Sequence, residues 1–147
     1  MTNSQTVTIV MIEDDEGHAN LIEKNLRRAG ISNEIVHIDN GRKAADYLLG
    51  KGEYANKRPA TPMLILLDLN LPELDGFQIL EMIKKDETTK LIPVIILTTT
   101  DNPREVERGY ALGCNVYVTK PVEYEAFADS IRKLGLLLAV VKIPGEE

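Results

Sequence analysis

The chain has 147 residues, 44% hydrophobic and 27% charged, which suits one globular domain with a sizeable core and is short for two ordinary ones. A net charge of -6, with no basic stripe interleaved with aromatics, argues against nucleic acid as a partner. The single cysteine, Cys114, excludes an internal disulfide, the polar start from Met1 to Thr6 lacks a signal-peptide pattern, and the longest apolar stretch, Leu136 to Val141, falls far below the ~20 residues that span a bilayer. A cytoplasmic protein without membrane contact is therefore expected.

Two kinds of segment alternate along the chain. Val7 to Ile12 is a short continuous apolar run rich in β-branched residues, the pattern of a strand covered on both faces. Leu21, Ile22 and Leu26 then recur on one face of a helical segment ending at Gly30. Glu34 to Ile38 is a weaker strand, and Ala44, Ala45, Leu48 and Leu49 mark a second helix before Gly50. The polar stretch Gly50 to Pro62 reads as a long surface loop. Met63 to Leu67 is a third strand, Phe77, Leu80 and Ile83 a third helix, and Pro93 to Leu97 a fourth strand. Asp101, Asn102 and Pro103 supply cap and first-turn chemistry for a fourth helix. Asn115 to Thr119 is a weaker fifth strand. From Glu123 a fifth helix follows, with Phe127, Ile131, Leu134 and Leu138 at helical spacing. The order is (βα)5, which predicts an α/β fold with a doubly wound five-stranded parallel sheet and helices on both faces. One domain over residues 1–147 is expected, with its core at about 7–135.

In such a sheet, ligands bind beyond the carboxyl ends of the strands. Glu13 and Asp14 end the first apolar run, Asp68 the third, Thr98 the fourth and Lys120 the fifth, so five distant residues converge on one edge. Three carboxylates in one crevice repel unless a cation neutralises them, and Mg²⁺ suits oxygen ligands while leaving positions for a phosphate. Lys120 can pair with Asp68 and with phosphate oxygens, and the Thr98 hydroxyl can donate to one of them. A carboxylate nucleophile, a metal and a positioned lysine are the minimal parts for forming an aspartyl phosphate. Asp14 or Asp15 alone would read as a helix cap. His18 and His37 read as surface or edge residues, and Cys114 as an inert packed thiol.

The motifs Ile12-Glu13-Asp14-Asp15, Leu66-Leu67-Asp68-Leu69-Asn70-Leu71-Pro72 followed by Asp75-Gly76, Leu97-Thr98-Thr99, and Tyr117-Val118-Thr119-Lys120-Pro121 occur in order. Together they resemble the response-regulator receiver domain, the flavodoxin-like or CheY-like fold of two-component signalling, over about residues 7–135. The resemblance implies that Asp68 is the phosphoacceptor. It implies that Glu13, Asp14, Asp68 and the main-chain carbonyl of Asn70 hold Mg²⁺, for which Mn²⁺ or Ca²⁺ can substitute in crystals. It makes Lys120, Thr98 and Thr99 the phosphate-contacting residues, with Thr99 where alanine is common, and Thr98 and Tyr117 the switch pair. The Lys120–Pro121 bond would be cis. A phosphoryl acceptor rather than a turnover enzyme is implied, served by a sensor histidine kinase. The loop containing Gly52-Glu53-Tyr54 and the absence of an output domain resemble the regulators of bacterial phytochrome kinases.

Leu136, Leu137, Val140, Val141 and Ile143 are left over once the fifth helix has filled its inward stripe. Burying each gains about 1.5–3 kcal/mol, against an association cost of ~4–15 kcal/mol. The tail either folds back on its own domain or, as favoured here, joins the fourth helix, fifth strand and fifth helix in a symmetric homodimer. Rival functions are a phosphate sink or relay, an aspartyl-intermediate phosphatase or phosphotransferase, and a phosphorylation-independent interaction module. The phosphatase would want a second acid two positions after the nucleophile, where this chain has Asn70.

Overall fold

A computed structural model describes residues 7–28, 30–55, 63–120, 125 and 129 of the chain. In order these form β1 (Thr8–Ile12), α1 (Glu16–Arg28), β2 (Ile35–Ile38), α2 (Gly41–Leu49), a 3-10 turn (Gly52–Tyr54), β3 (Met63–Leu67), α3 (Gly76–Lys85), β4 (Val94–Thr98), α4 (Pro103–Ala111) and β5 (Val116–Thr119). The strands make one sheet in the order β2-β1-β3-β4-β5, and every neighbouring pair is parallel. This is the expected doubly wound α/β fold.

Each helix boundary has a local cause. The Asp15 carboxylate accepts from His18 N at 2.9 Å and caps α1. Asn40 accepts from Lys43 N at the start of α2, and Gly50 ends that helix at φ 68°, a left-handed conformation that glycine adopts without strain. Asp75 and Gln78 form a reciprocal capping box at α3. Asn102 caps α4, with Pro103 in the first turn, where its missing N–H costs nothing.

Alternation along the strands builds two cores. Val10, Ile12, Ile65, Leu67, Val94 and Ile96 face Ala44, Leu48, Leu80 and Ile83 from α2 and α3. Ile9, Met11, Leu64, Leu66, Ile95 and Leu97 face Ala19, Ile22 and Leu26 from α1. Every residue of the central strands β1, β3 and β4 is buried, which is why they read as unbroken apolar runs. β2 and β5 lie at the sheet edges and are only partly covered, hence their weaker patterns.

Of the expected fifth helix, Glu125 and Asp129 are described, and both are helical. Residues 56–62 of the expected loop, the Lys120–Pro121 bond and the tail residues Leu136, Leu137, Val140 and Val141 lie outside the described residues.

Candidate functional site

The strand order reverses between β1 and β3, and that is where the polar residues gather. Asp68 N donates to Ile12 O at 3.0 Å, so the two strands release their chains side by side at the carboxyl edge. Glu13 and Asp14 follow β1, and Asp68 follows β3. One carboxylate oxygen from each lies within 4.8 Å of the others. Asp15, next in sequence, turns away to cap α1. The same His18 N–H bond holds the Asp15 carboxyl below its ordinary value.

Asp68 is buried and fully engaged. Its Oδ1 accepts from the Thr98 hydroxyl at 2.8 Å and from Asn70 N at 3.1 Å, and its Oδ2 accepts from Lys120 Nζ at 3.1 Å. Glu13 is buried too. Its Oε1 pairs with Lys120 Nζ and its Oε2 accepts from Asp15 N at 3.1 Å. Burial disfavours the Glu13 carboxylate and pushes its pKa up to about 7, the Lys120 bond opposing and the Asp68 charge adding to the shift. Lys120 N also donates to Thr98 O at 2.6 Å, which ties the end of β5 to the end of β4.

Among the described residues three carboxyl groups stand against one ammonium, so negative charge is in excess. An all-oxygen donor set with that excess fits a hard divalent cation such as Mg²⁺.

The remaining expected residues are spread around this centre. Asn70 is exposed, with its main chain beside Asp68. Thr99 is exposed where Thr98 is buried. Tyr117 is half-buried on β5. Its hydroxyl donates to Thr100 O at 2.8 Å, in the loop that follows Thr98, and burial pushes that phenol up to about 12. Tyr117 N donates to the Tyr110 hydroxyl at 3.1 Å, a contact between α4 and the edge strand that no sequence motif announces. His37 sits on the edge strand as expected, its Nε2 2.7 Å from Glu13 O. Cys114 is buried, and burial raises its thiol above the ordinary value.

His18 differs from expectation. It is half-buried, and its Nδ1 lies 3.1 Å from Lys120 Nζ. Its place in the first turn of the helix after β1 puts its backbone near the carboxyl edge, and packing sets which way the ring faces.

Fold and site together define a class, the flavodoxin-like α/β domains that carry an acidic, lysine-countered pocket at the strand-order reversal. Comparison with known proteins narrows this. The family model for the response regulator receiver domain matches residues 9–132. A crystal structure of a response regulator receiver domain from Rhodospirillum rubrum superposes with a TM-score of 0.89 at 53% identity, covering 96% of this chain and 99% of that one. The Mn²⁺-bound form of Rcp1, a response regulator of Synechocystis, superposes at 0.86 and 33% identity, covering 94% and 99%. The phosphorylated cyanobacterial phytochrome response regulator RcpA gives 0.85 and 34%, covering 95% and 99%. The chain belongs to the response regulator receiver domain family. Its structural neighbours include phytochrome response regulators.

Proposed function

We propose that Asp68 accepts a phosphoryl group from a sensor histidine kinase and that the chain is a phosphorylation switch. The observation that carries this reading is the setting of Asp68: a buried carboxylate at the strand-order reversal, bonded by Thr98, Asn70 and Lys120, in a pocket rich in carboxyl groups. A bond forms between an Asp68 oxygen and phosphorus while the bond from phosphorus to the donor imidazole breaks. The electron pair leaves on the imidazole nitrogen, and a donor ring protonated at its other nitrogen departs as neutral imidazole. Glu13, Asp14, Asp68 and the Asn70 carbonyl would hold Mg²⁺, which supplies charge neutralisation for the transferring group.

Lys120 places a compact positive charge against the oxygens that develop negative charge. Thr98, freed from Asp68 Oδ1, donates to a phosphoryl oxygen, with Thr99 at the rim. Because Tyr117 is bonded to Thr100, movement of Thr98 draws on that bond and repacks the face that includes α4 and β5. The position two residues after Asp68 is Asn70, which has no acid to activate water, so the domain acts as an acceptor and not as a turnover phosphatase.

The likeness to RcpA and to bacteriophytochrome response regulators supports a phytochrome kinase as donor. A cytoplasmic location and a symmetric homodimer using α4, β5, the fifth helix and the apolar tail complete the reading. Among the described residues no helix is long and apolar enough to cross a membrane. Acetyl phosphate with Mg²⁺ adds one phosphoryl mass to the native chain and none to Asp68→Asn; labelling retained in that variant places the acceptor elsewhere.

A further inference from the structure

Lys120 presents three N–H donors from one ammonium, and among the described residues three acceptors meet it: Glu13 Oε1 after β1, Asp68 Oδ2 at 3.1 Å after β3, and His18 Nδ1 at 3.1 Å from α1. An ammonium has nothing to accept with. The contact therefore requires an unprotonated Nδ1, and the neutral ring carries its proton on Nε2. The ring is borne by a fixed backbone, because His18 N donates to Asp15 Oδ1 at 2.9 Å in the capped first turn. We propose that His18 is a positioning residue that orients the Lys120 ammonium toward the phosphoryl group on Asp68.

The inference rests on the proposed function, and it concerns a residue outside the set of carboxylates, hydroxyl and lysine named there. A lysine stem has four carbons and many rotamers, so an ammonium with one or two partners is poorly aimed. Two of its three partners, Glu13 and Asp68, are carboxylates whose charge is shared with the metal and, at Asp68, with the incoming phosphorus. His18 alone among the three keeps the same task before and after transfer. Its neutral nitrogen holds the amine by direction without adding to the negative charge of the pocket.

The test compares the native 147-residue chain with His18→Ala and His18→Asn. Asparagine Oδ1 is attached at Cγ as Nδ1 is, so it can accept from the same amine. Intact-mass time courses give the rate of phosphorylation by acetyl phosphate in saturating Mg²⁺, and calorimetry gives the Mg²⁺ affinity. His18→Ala is expected to be about tenfold slower, the loss of one charge-assisted hydrogen bond in the transition state. Its Mg²⁺ affinity should stay within about twofold, because the contact is to the amine and not to the carboxylates. His18→Asn should recover most of the rate. A His18→Ala rate equal to native, a His18→Asn rate as low as His18→Ala, or a slowing that merely tracks weaker Mg²⁺ binding overturns the positioning role. A native chain that takes up no phosphoryl group overturns the proposed function itself, and the two failures are thus told apart.

Discussion

The Thr98 hydroxyl donates to Asp68 Oδ1 at 2.8 Å across the ends of two adjacent strands, linking residues 30 positions apart in a fully buried bond. Thr98 leads within two residues to Thr100, whose carbonyl accepts from the Tyr117 hydroxyl. Replacing Thr98 with valine keeps the branched shape and the strand preference but deletes the donor. The folded chain should lose about 1.5 kcal/mol, since Asp68 Oδ1 keeps Asn70 N alone. The variant should still take up a phosphoryl group, while the Tyr117 ring resonances in an NMR spectrum no longer shift on phosphorylation. A native-like Tyr117 shift in the valine variant breaks the proposed link.

Gly76 tests how closely the α3 start is packed against the site. A Cβ there would sit 2.4 Å from Asp68 O and 2.7 Å from Leu69 Cα, both backbone atoms that cannot swing aside. Gly76→Ala should cost about 2–3 kcal/mol by thermal or chemical unfolding. It should also weaken Mg²⁺ binding, because the segment that carries Asp68 must shift. An alanine variant as stable as native means that the α3 start yields freely.

Lys120→Met leaves the buried Glu13 and Asp68 carboxylates without their counter-charge at nearly the same volume. Removing one partner of a buried pair costs about 3 kcal/mol, which unfolding in Mg²⁺-free buffer measures. Saturating Mg²⁺ should raise the melting temperature of this variant more than that of the native chain, since the dication replaces the lost charge. Equal shifts in the two proteins contradict the charge balance drawn for the pocket.

Glu13 gives the site a pH dependence with a definite sign. Its folded value near 7 stands above the ordinary 4.5, so between the two the folded state keeps a proton that the unfolded chain has released. Stability from this group in Mg²⁺-free buffer is full below 4.5 and is lost as pH rises through 7. Metal binding runs the opposite way, because a ligand carboxylate must give up its proton. Mg²⁺ affinity should fall about tenfold per pH unit below about 7, and Glu13→Gln should flatten that slope. Calorimetry showing native affinity level across this range refutes it.

Much of this architecture was legible because burial writes itself into composition. β1, β3 and β4 have water on neither face, and their apolar runs located Glu13, Asp68 and Thr98 at strand ends. Asp14 and Asp15 were ambiguous, because capping and metal binding ask for the same side chain, and only the turn into α1 assigns Asp15 to the cap. The direction of the His18 ring is not legible: whether a first-turn residue faces solvent or Lys120 depends on the helix rotation about its axis, which the local sequence does not set. The Tyr110 hydroxyl on Tyr117 N and the positive φ of Glu73, 71° in the tight turn where Leu74 N bonds Pro72 O, are likewise products of packing.

The proposed switch requires that the phosphoryl group reside on one carboxylate. Borohydride reduces an acyl phosphate to an alcohol and marks the residue that carried it. After phosphorylation with acetyl phosphate and Mg²⁺, reduction and peptide mapping by mass spectrometry should place the mark on Asp68 alone. A mark on Glu13, Asp14 or any other acid removes Asp68 as the acceptor.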